Sequence, residues 1–411
     1  MSMRADHLRQ RYGGRPTLHA KAQPIGGPLV TPGTRALAGV FGLGAALIVW
    51  RLIAGLGATT GLNDGYPLGL WIAFDVVTGT ALACGGYAVA ILVYVLNRGR
   101  YHPLVRPALL TSALGYSLAG FSVLLDVGRW WLIWKVPLYF WRWNFNSALL
   151  EIALCIMAYV VVVWIELSPA FFEQWQGSSY PALRNLSTGA LAILKKASLW
   201  IIALGLLLPT MHQSSLGTLM LLAGSRLHPL WRTPLLPLLF LISSVAMGYA
   251  AVVFESALSM VAFKRPAETT MLASLAAAIV PLQLLLVTLR AADVIWRGDI
   301  GLLFAGGLRS MLVWLEFALF LAPVVMLLRS RQRRDLGRLF AAALTMMSAG
   351  ALYRFDTYLV AFTPGPNWSY FPSVPETLIT AGLLAFEVLA FIVIVKMFPI
   401  LVGRPAFERA V

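Results

Sequence analysis

The sequence predicts an all-α integral membrane protein, a bundle of about ten transmembrane helices with both termini in the cytoplasm. Hydrophobic residues make up 59% of the 411 residues and charged residues only 12%, and the mean hydropathy is +0.78. Apolar runs recur along the whole chain, and each is long enough to cross the ~30 Å hydrocarbon core of a bilayer as a helix. Because these runs are continuous rather than alternating, a transmembrane barrel is excluded.

The apolar runs define ten predicted segments. They cover residues 34–56, 70–95, 104–127, 147–168, 191–212, 235–260, 271–295, 308–329, 337–361 and 376–400. Together they form one membrane domain over residues 34–400. Residues 1–33 are basic and lack the apolar core of a signal peptide, so they are predicted to be a cytoplasmic tail. Residues 401–411 form a second cytoplasmic tail.

The net charge of +15 is distributed in the manner of a membrane protein. About two thirds of the 32 Lys and Arg residues fall on the side of the bundle that carries the N-terminus, with clusters at 98–106, 264–265 and 329–338. This positive-inside pattern predicts cytoplasmic termini. It also argues against nucleic acid as a partner, and the protein is expected to be surrounded by membrane lipid.

Several carboxylates lie inside the apolar runs, where a charge costs ~2.5–3.5 kcal/mol even on lenient insertion scales. They are Asp75, Asp126, Glu151, Glu166, Glu255, Glu316 and Glu387. The predicted orientation places the first three near the outer surface, and it places His212 there too, at the end of the fifth segment. Tyr116 lies about 15 Å deeper along the third segment than its outer end. Glu255 lies near the cytoplasmic face.

These positions predict an outer polar site with an acidic route towards the cytoplasm. Arg129, Arg290, Asp293, Arg354 and Asp356 end their segments on the same outer side. A structural alternative stays open, because charged side chains near helix ends also snorkel or pair. Glu166, beside Ser168 and Pro169, is interpreted as a solvated helix end. Glu316 and Glu387 lie in the middle of their segments, and the sequence assigns them no role.

Haem, iron–sulfur clusters and metal ions are not predicted for this chain. A membrane haem with two axial histidines needs a pair of histidines on facing helices, and of the five histidines only His212 lies in a segment. Cys84 and Cys155 lie in separate segments, and two isolated cysteines do not supply the four ligands of a cluster. Both are predicted to be small apolar packing residues.

The outer loops are unusually rich in aromatic residues and proline. Five Trp residues lie between positions 130 and 143, and residues 364–375 contain four prolines with Trp368 and Tyr370. Trp and Tyr commonly form a belt at the depth of the lipid headgroups. Aromatic residues are also enriched where proteins dock. The sequence leaves both interpretations open.

Seven stretches of the sequence carry a resemblance that covers residues 45–400. They are WIAFD (71–75), ACGG (83–86), NRGRYHPLVRP (97–107), GYS (115–117), DVGR (126–129), LPTMHQSS (208–215) and HPLW (228–231). They resemble the HybB-type membrane subunits of respiratory nickel–iron hydrogenases, which belong to the NrfD/PsrC family of quinone-interacting integral membrane subunits.

The resemblance implies a haem-free subunit of the bacterial inner membrane that holds menaquinone or ubiquinone near the periplasmic face. Its implied partners are a periplasmic ferredoxin-like iron–sulfur subunit and the large and small subunits of a nickel–iron hydrogenase. Tyr116, Glu151, Glu255 and His212 match residues that the family links to quinone chemistry and proton movement. Asp75, Asp126 and Arg129 are predicted as further quinone contacts from their outer positions. The coupling to proton translocation stays a hypothesis.

Three alternatives stand beside this function. Other NrfD/PsrC-type subunits oxidise quinol for periplasmic reductases, and the context of residues 212–215 favours the hydrogenase type. A proton-coupled secondary transporter usually shows inverted repeats with broken helices at matching positions, and no such repeat is visible. A purely structural anchor leaves the intramembrane carboxylates unexplained.

Overall fold

A computed structural model describes residues 22–263, 269–330 and 332–402. Within these ranges the chain is helical and has only two isolated β-bridges, which confirms the predicted all-α membrane bundle. Ten of the described helices are long and apolar enough to cross a membrane. They are α1 Pro32–Ala54, α2 Trp71–Val95, α3 Gly99–Asp126, α4 Ala148–Gln176, α5 Pro181–Leu221, α6 Leu236–Ala262, α7 Thr269–Trp296, α8 Gly307–Leu327, α9 Leu336–Val360 and α10 Val374–Met397.

The two predicted tails lie mainly outside the described residues, as do Lys264 and Arg265 of the predicted basic clusters. Successive spans run in opposite directions, so the connections fall at two ends. The end that carries residues 22–31, 96–98, 177–180, 328–330, 332–335 and 398–402 is called the basic end here. The end that carries 55–70, 127–147, 222–235, 297–306 and 361–373 is called the aromatic end. At the basic end the first and last described residues of the chain meet, because Gln23 N–H donates to the Leu401 carbonyl (3.0 Å).

The predicted end of the fifth segment at residue 212 is wrong, because α5 continues to Leu221. The residues after His212 are polar, which lowers the hydropathy, but their hydroxyls bond back to the helix. Ser214 and Ser215 donate to carbonyls of the preceding turn, at 2.9 and 2.7 Å. Such bonds let Ser stay inside a helix. His212 therefore lies within α5 rather than at its end.

The ten spans form two groups of four and one pair. Helices α2 to α5 pack together, and α6 to α9 pack together. The two groups meet along α6, which packs against both α2 and α5, and α1 and α10 pair beside α3. A Cβ added to Gly44 of α1 would lie 2.7 Å from the Cα of Gly382 of α10. These two helices therefore approach with their backbones nearly in contact, which requires glycine at both positions.

Helix α2 is irregular along most of its length. It begins as a π-helix over Trp71–Thr78, has a break at Ala83 and Cys84, and ends in a second π-helical turn over Ile91–Val95. Side chains of neighbouring helices bond to its carbonyls. Ser112 donates to the Ala83 carbonyl (2.5 Å), and the buried Arg354 donates to the Val77 carbonyl (3.0 Å). π-Helical turns occur frequently at functional sites.

The contact between α2 and α6 gives a first prediction. A Cβ added to Gly248 would lie 2.6 Å from the carbonyl oxygen of Cys84, a backbone atom that cannot rotate away. Replacing Gly248 with Ala is therefore expected to push the two four-helix groups apart and to cost about 1–3 kcal/mol of unfolding free energy. Thermal unfolding of the detergent-solubilised protein measures this. Gly42→Ala in α1, where a Cβ meets nothing within 4 Å, is the control and should unfold no earlier than the parent.

Candidate functional site

A cavity of about 440 Å³ lies between α2, α3, α6 and α10. Its lining is largely apolar. The cavity is open on one flank, because the lining residues Leu258, Leu384 and Val388 are 44–50% exposed. In a membrane-spanning bundle this flank faces the lipid, so a lipid-soluble molecule can enter from the side.

Three carboxylates from three different helices line this cavity: Asp75, Glu387 and Glu255. Asp75 lies one turn into α2 from the aromatic end, and its Oδ2 accepts hydrogen bonds from Ser122 Oγ and Thr380 Oγ1, both at 3.2 Å. Glu387 lies in the middle of α10, and Glu255 lies in the last two turns of α6 before the basic end. The cavity thus has a polar group near each end and one between them.

Glu255 also lines a second, smaller cavity at the basic end. Glu255 and Ser259 belong to both linings, and the smaller cavity continues past Ser256 to Pro103 and Leu401. Thr111 Oγ1 donates to Glu255 Oε2 at 2.5 Å, whereas Oε1 is buried without a hydrogen bond from any described residue. Glu255 therefore separates the central cavity from the basic end, with one oxygen free to exchange a proton.

Tyr116 and His212 come together in a closed network on the other side of α3. His212 Nε2 lies 3.3 Å from Thr80 Oγ1, and Gln213 Nε2 donates to both Thr80 Oγ1 (3.0 Å) and the Tyr116 hydroxyl (3.3 Å). Tyr116, His212 and Gln213 have no exposed surface. The preceding residue, Gly115, lines the cavity. The network is therefore separated from the cavity by the backbones of α2 and α3.

The other predicted site residues lie elsewhere at the aromatic end. Asp126 ends α3 close to the buried Arg51 of α1, which attracts it electrostatically, and its Oδ1 is buried without a hydrogen bond from a described residue. Arg129 is exposed, and Glu151 is half-buried in the first turn of α4. None of the three lines the cavity. The predicted outer residues thus divide among the cavity, the closed network and the aromatic end.

A second buried polar cluster joins α7, α8 and α9. Arg290 and Glu316 form a salt bridge with both side chains buried, and Trp231 Nε1 donates to Glu316 Oε1 at 3.1 Å. Asp356 lies close enough to Glu316 to interact with it electrostatically, and the Arg290 guanidinium lies 4.7 Å from the ring centre of Tyr353. The structural alternative is therefore confirmed for Arg290, which pairs with Glu316 inside the bundle.

Glu166 does not end its helix in solvent. It is half-buried in α4 and faces α5, since a Cβ added to Gly205 would lie 2.9 Å from Glu166 Oε2. The predicted helix end is present, because Glu166 lies in the last turn of the α-helical stretch Ala148–Leu167, which a second stretch, Pro169–Gln176, follows directly. The side chain is packed against α5, however, and is not fully solvated. Glu166 does not line the cavity.

Glu376 organises the aromatic end, although it is not among the predicted site residues. Its carboxylate accepts from Gly61 N–H and Ser373 N–H, both at 2.8 Å, and from the Tyr370 hydroxyl at 2.9 Å. Burial and this neighbouring carboxylate raise the pKa of Tyr370 well above its usual range. The spacing of Ser373 and Glu376 is a capping box, the signal that predicts such a helix start.

The chain is similar to known proteins of the family that its sequence resembles. The family model described as "Polysulphide reductase, NrfD" matches residues 59–362. The "Probable Ni/Fe-hydrogenase 2 b-type cytochrome subunit" of Escherichia coli (strain K12) is 42% identical over 386 residues, which cover 92% of this chain and 95% of the relative.

Two proteins of Nitratidesulfovibrio vulgaris (strain Hildenborough) are also similar. One, named only "Protein", is 32% identical over 397 residues, 93% of this chain and 97% of its own length. The other is the "Menaquinone reductase, integral membrane subunit", which is 33% identical over 178 residues, 43% of this chain and 40% of its own length.

Proposed function

The chain belongs to the NrfD family of membrane proteins, and we propose that it is the membrane subunit of a respiratory hydrogenase complex, where it passes electrons to a quinone. The E. coli relative, similar over nearly its whole length, supports the hydrogenase partner through its name. The similarity to part of a menaquinone reductase subunit supports the quinone. In this proposal a ferredoxin-like iron–sulfur subunit docks on the aromatic end and receives electrons from the large and small hydrogenase subunits.

The orientation of the chain is part of the proposal. The excess of Lys and Arg on the basic end supports a cytoplasmic location for that end and for both termini. The aromatic end then faces the periplasm across a bacterial inner membrane. The exposed aromatic side chains between α3 and α4, among them Trp131, Trp134 and Trp141, suit a docking surface there.

The cavity is the observation that carries the proposal. A quinone is amphipathic, with two carbonyl oxygens on its ring and a long isoprenoid tail. The cavity has a polar end at Asp75, Ser122 and Thr380, an apolar lining and an opening to the lipid-facing flank. Its volume lies within the range of about 300–1,000 Å³ that is usual for ligand pockets. We place the ring at the Asp75 end, where hydroxyls and a carboxyl group can hydrogen-bond a carbonyl.

The proposed chemistry needs proton carriers as well as a binding site. Reduction of a quinone to a quinol takes up two electrons and two protons, and this chain supplies the protons. Glu255 is placed to take a proton from the basic end and release it into the cavity. Tyr116 and His212 are proposed to hold protons behind the cavity wall, and Glu151, Asp126 and Arg129 to act at the aromatic end. Net proton translocation would follow if every proton came from the basic end.

Haem does not fit the residues that the structure describes. The ring of His212 is enclosed, with Nε2 on Thr80 and its face towards Tyr116 at 5.6 Å between ring centres. His102 lies in the first turn of α3 at the basic end, and His228 lies between α5 and α6 at the aromatic end. These three histidines cannot form the facing pair that a bis-histidine haem requires. His7 and His19 lie outside the described residues.

Blocking the cavity tests the proposed function. Gly79 lines the cavity, and a Cβ there makes only ordinary contacts, so Gly79→Phe is expected to fill part of it without a backbone clash. In the purified hydrogenase complex, the KM for a soluble menaquinone analogue should rise about tenfold, equivalent to ~1.4 kcal/mol of binding. Hydrogen-dependent reduction of a viologen dye, which bypasses this subunit, should stay unchanged.

Gly42→Phe on the lipid side of α1 is the matched control and should leave both activities unchanged, because a side chain there meets open space. Equal KM values for Gly79→Phe and the parent would show that the cavity is not the quinone site. If the parent complex reduced the dye but no quinone, the proposed function itself would be refuted.

A further inference from the structure

Glu387 is an intramembrane carboxyl group with no hydrogen-bond or salt-bridge partner among the described residues. Its side chain is half-buried in the middle of α10, and it makes no hydrogen bond or salt bridge to a residue that the structure describes. The other mid-helix glutamate, Glu316, is paired with Arg290 and accepts from Trp231. A charge at that depth is costly. The salt bridge gives Glu316 a structural role that offsets this cost, whereas Glu387 has no such role.

The position of Glu387 relates it to two other carboxyl groups. It lines the same cavity as Asp75 and Glu255 and interacts electrostatically with each of them. At the rise of an α-helix, Asp75, Glu387 and Glu255 lie about 6, 20 and 28 Å along their helices from the aromatic end. Glu387 therefore divides the distance between the two ends of the cavity into shorter steps.

From this placement we infer that Glu387 is a proton-transfer residue that links Glu255 to the quinone ring at the Asp75 end. The inference rests on the proposed function. It adds a residue of α10 to a site whose predicted members lie on α2 to α6. The apolar lining between the three carboxyl groups makes the middle one necessary, because apolar cavities of proteins tend to stay dry and waters need polar partners.

The proton balance can be written for this chain alone. Glu387 as a carboxylic acid gives its proton towards the Asp75 end, where an O–H bond forms on the substrate, and it becomes a carboxylate. Glu255 then gives a proton to Glu387, and the smaller cavity at the basic end refills Glu255. The two electrons come from the redox partner of the complex. After two such cycles the ring has gained two electrons and two protons, and the carboxyl groups are unchanged.

Glu387→Gln tests the inference in the purified hydrogenase complex. Gln keeps the size and polarity of the side chain but cannot carry a proton. We expect kcat for hydrogen-dependent quinone reduction to fall by about tenfold or more. The KM for the quinone should change little, and the solvent deuterium isotope effect on kcat should increase. Glu387→Asp, which keeps the carboxyl group, should recover a substantial part of kcat.

Glu166→Gln is the matched control, because Glu166 is also a half-buried membrane carboxyl group but does not line the cavity. It should leave kcat and the isotope effect at parent values. The inference is overturned if Glu387→Gln behaves like Glu166→Gln, or if Asp and Gln at 387 lower kcat equally without a change in isotope effect. Dye reduction and quinone reduction by the parent complex test the proposed function separately. Failure of the proposed function is therefore distinguishable from failure of the inference about Glu387.

Discussion

Replacing Arg290 with Met is expected to destabilise the protein by about 3–5 kcal/mol and to prevent its normal accumulation in the membrane. The guanidinium is the partner of the buried Glu316 carboxylate, and the Asp356 carboxyl group lies close to the same glutamate. Without Arg290 two buried carboxyl groups would face each other with no cation between them. The amount of subunit in membranes and the thermal unfolding midpoint of the solubilised protein measure the effect.

Two further variants make this prediction specific. Arg232→Met removes an exposed arginine from a loop at the aromatic end and should leave abundance and unfolding at parent values. Adding Glu316→Gln to Arg290→Met should recover part of the lost stability, because it removes one of the unpaired carboxylates. Residues in one ion-pair network are expected to be non-additive in this way. Normal abundance of the single Arg290 variant would show that the salt bridge is dispensable.

The sequence was sufficient for the number, the approximate ends and the alternation of the membrane spans. Hydropathy reports whether a stretch can lie in lipid, and for α2 and α10 that property coincides with the helix. It fails at α5, where polar residues after His212 continue the helix by bonding to its own carbonyls. A hydropathy profile locates the apolar part of a helix, not the point where its hydrogen bonds stop.

The sequence was less informative about which side chains meet. Glu316 and Glu387 are both glutamates in the middle of apolar runs, and nothing local distinguishes them. Their roles differ because Arg290 faces one and an apolar cavity surrounds the other. In a helix that is apolar on all sides, periodicity does not tell which face is buried. Tyr116 and Asp75 were placed in one predicted site, yet they lie on opposite sides of the α2–α3 layer.

The largest functional effect is expected for Glu255→Gln. Gln keeps an oxygen that accepts the hydrogen bond from Thr111, so the packing of α3 against α6 is retained. It cannot take up or release a proton at the wall that the basic-end cavity and the central cavity share, to which Ser259 also belongs. Loss of a positioned proton carrier costs about 100-fold or more in rate. Hydrogen-dependent quinone reduction by the purified complex is therefore expected to fall by that factor, with dye reduction unchanged.

The side of the membrane from which protons are taken up distinguishes the loss of a proton carrier from a general loss of activity. In vesicles that enclose the complex in one orientation, proton uptake at the basic end should disappear in Glu255→Gln together with quinone reduction. Ser256→Ala, which alters the smaller cavity but removes no acid, should keep both. If Glu255→Gln reduced quinone at the parent rate, protons would have to reach the ring from the aromatic end. The cavity would then hold the substrate without conducting protons, and Glu387 would lose its assigned partner at the basic end.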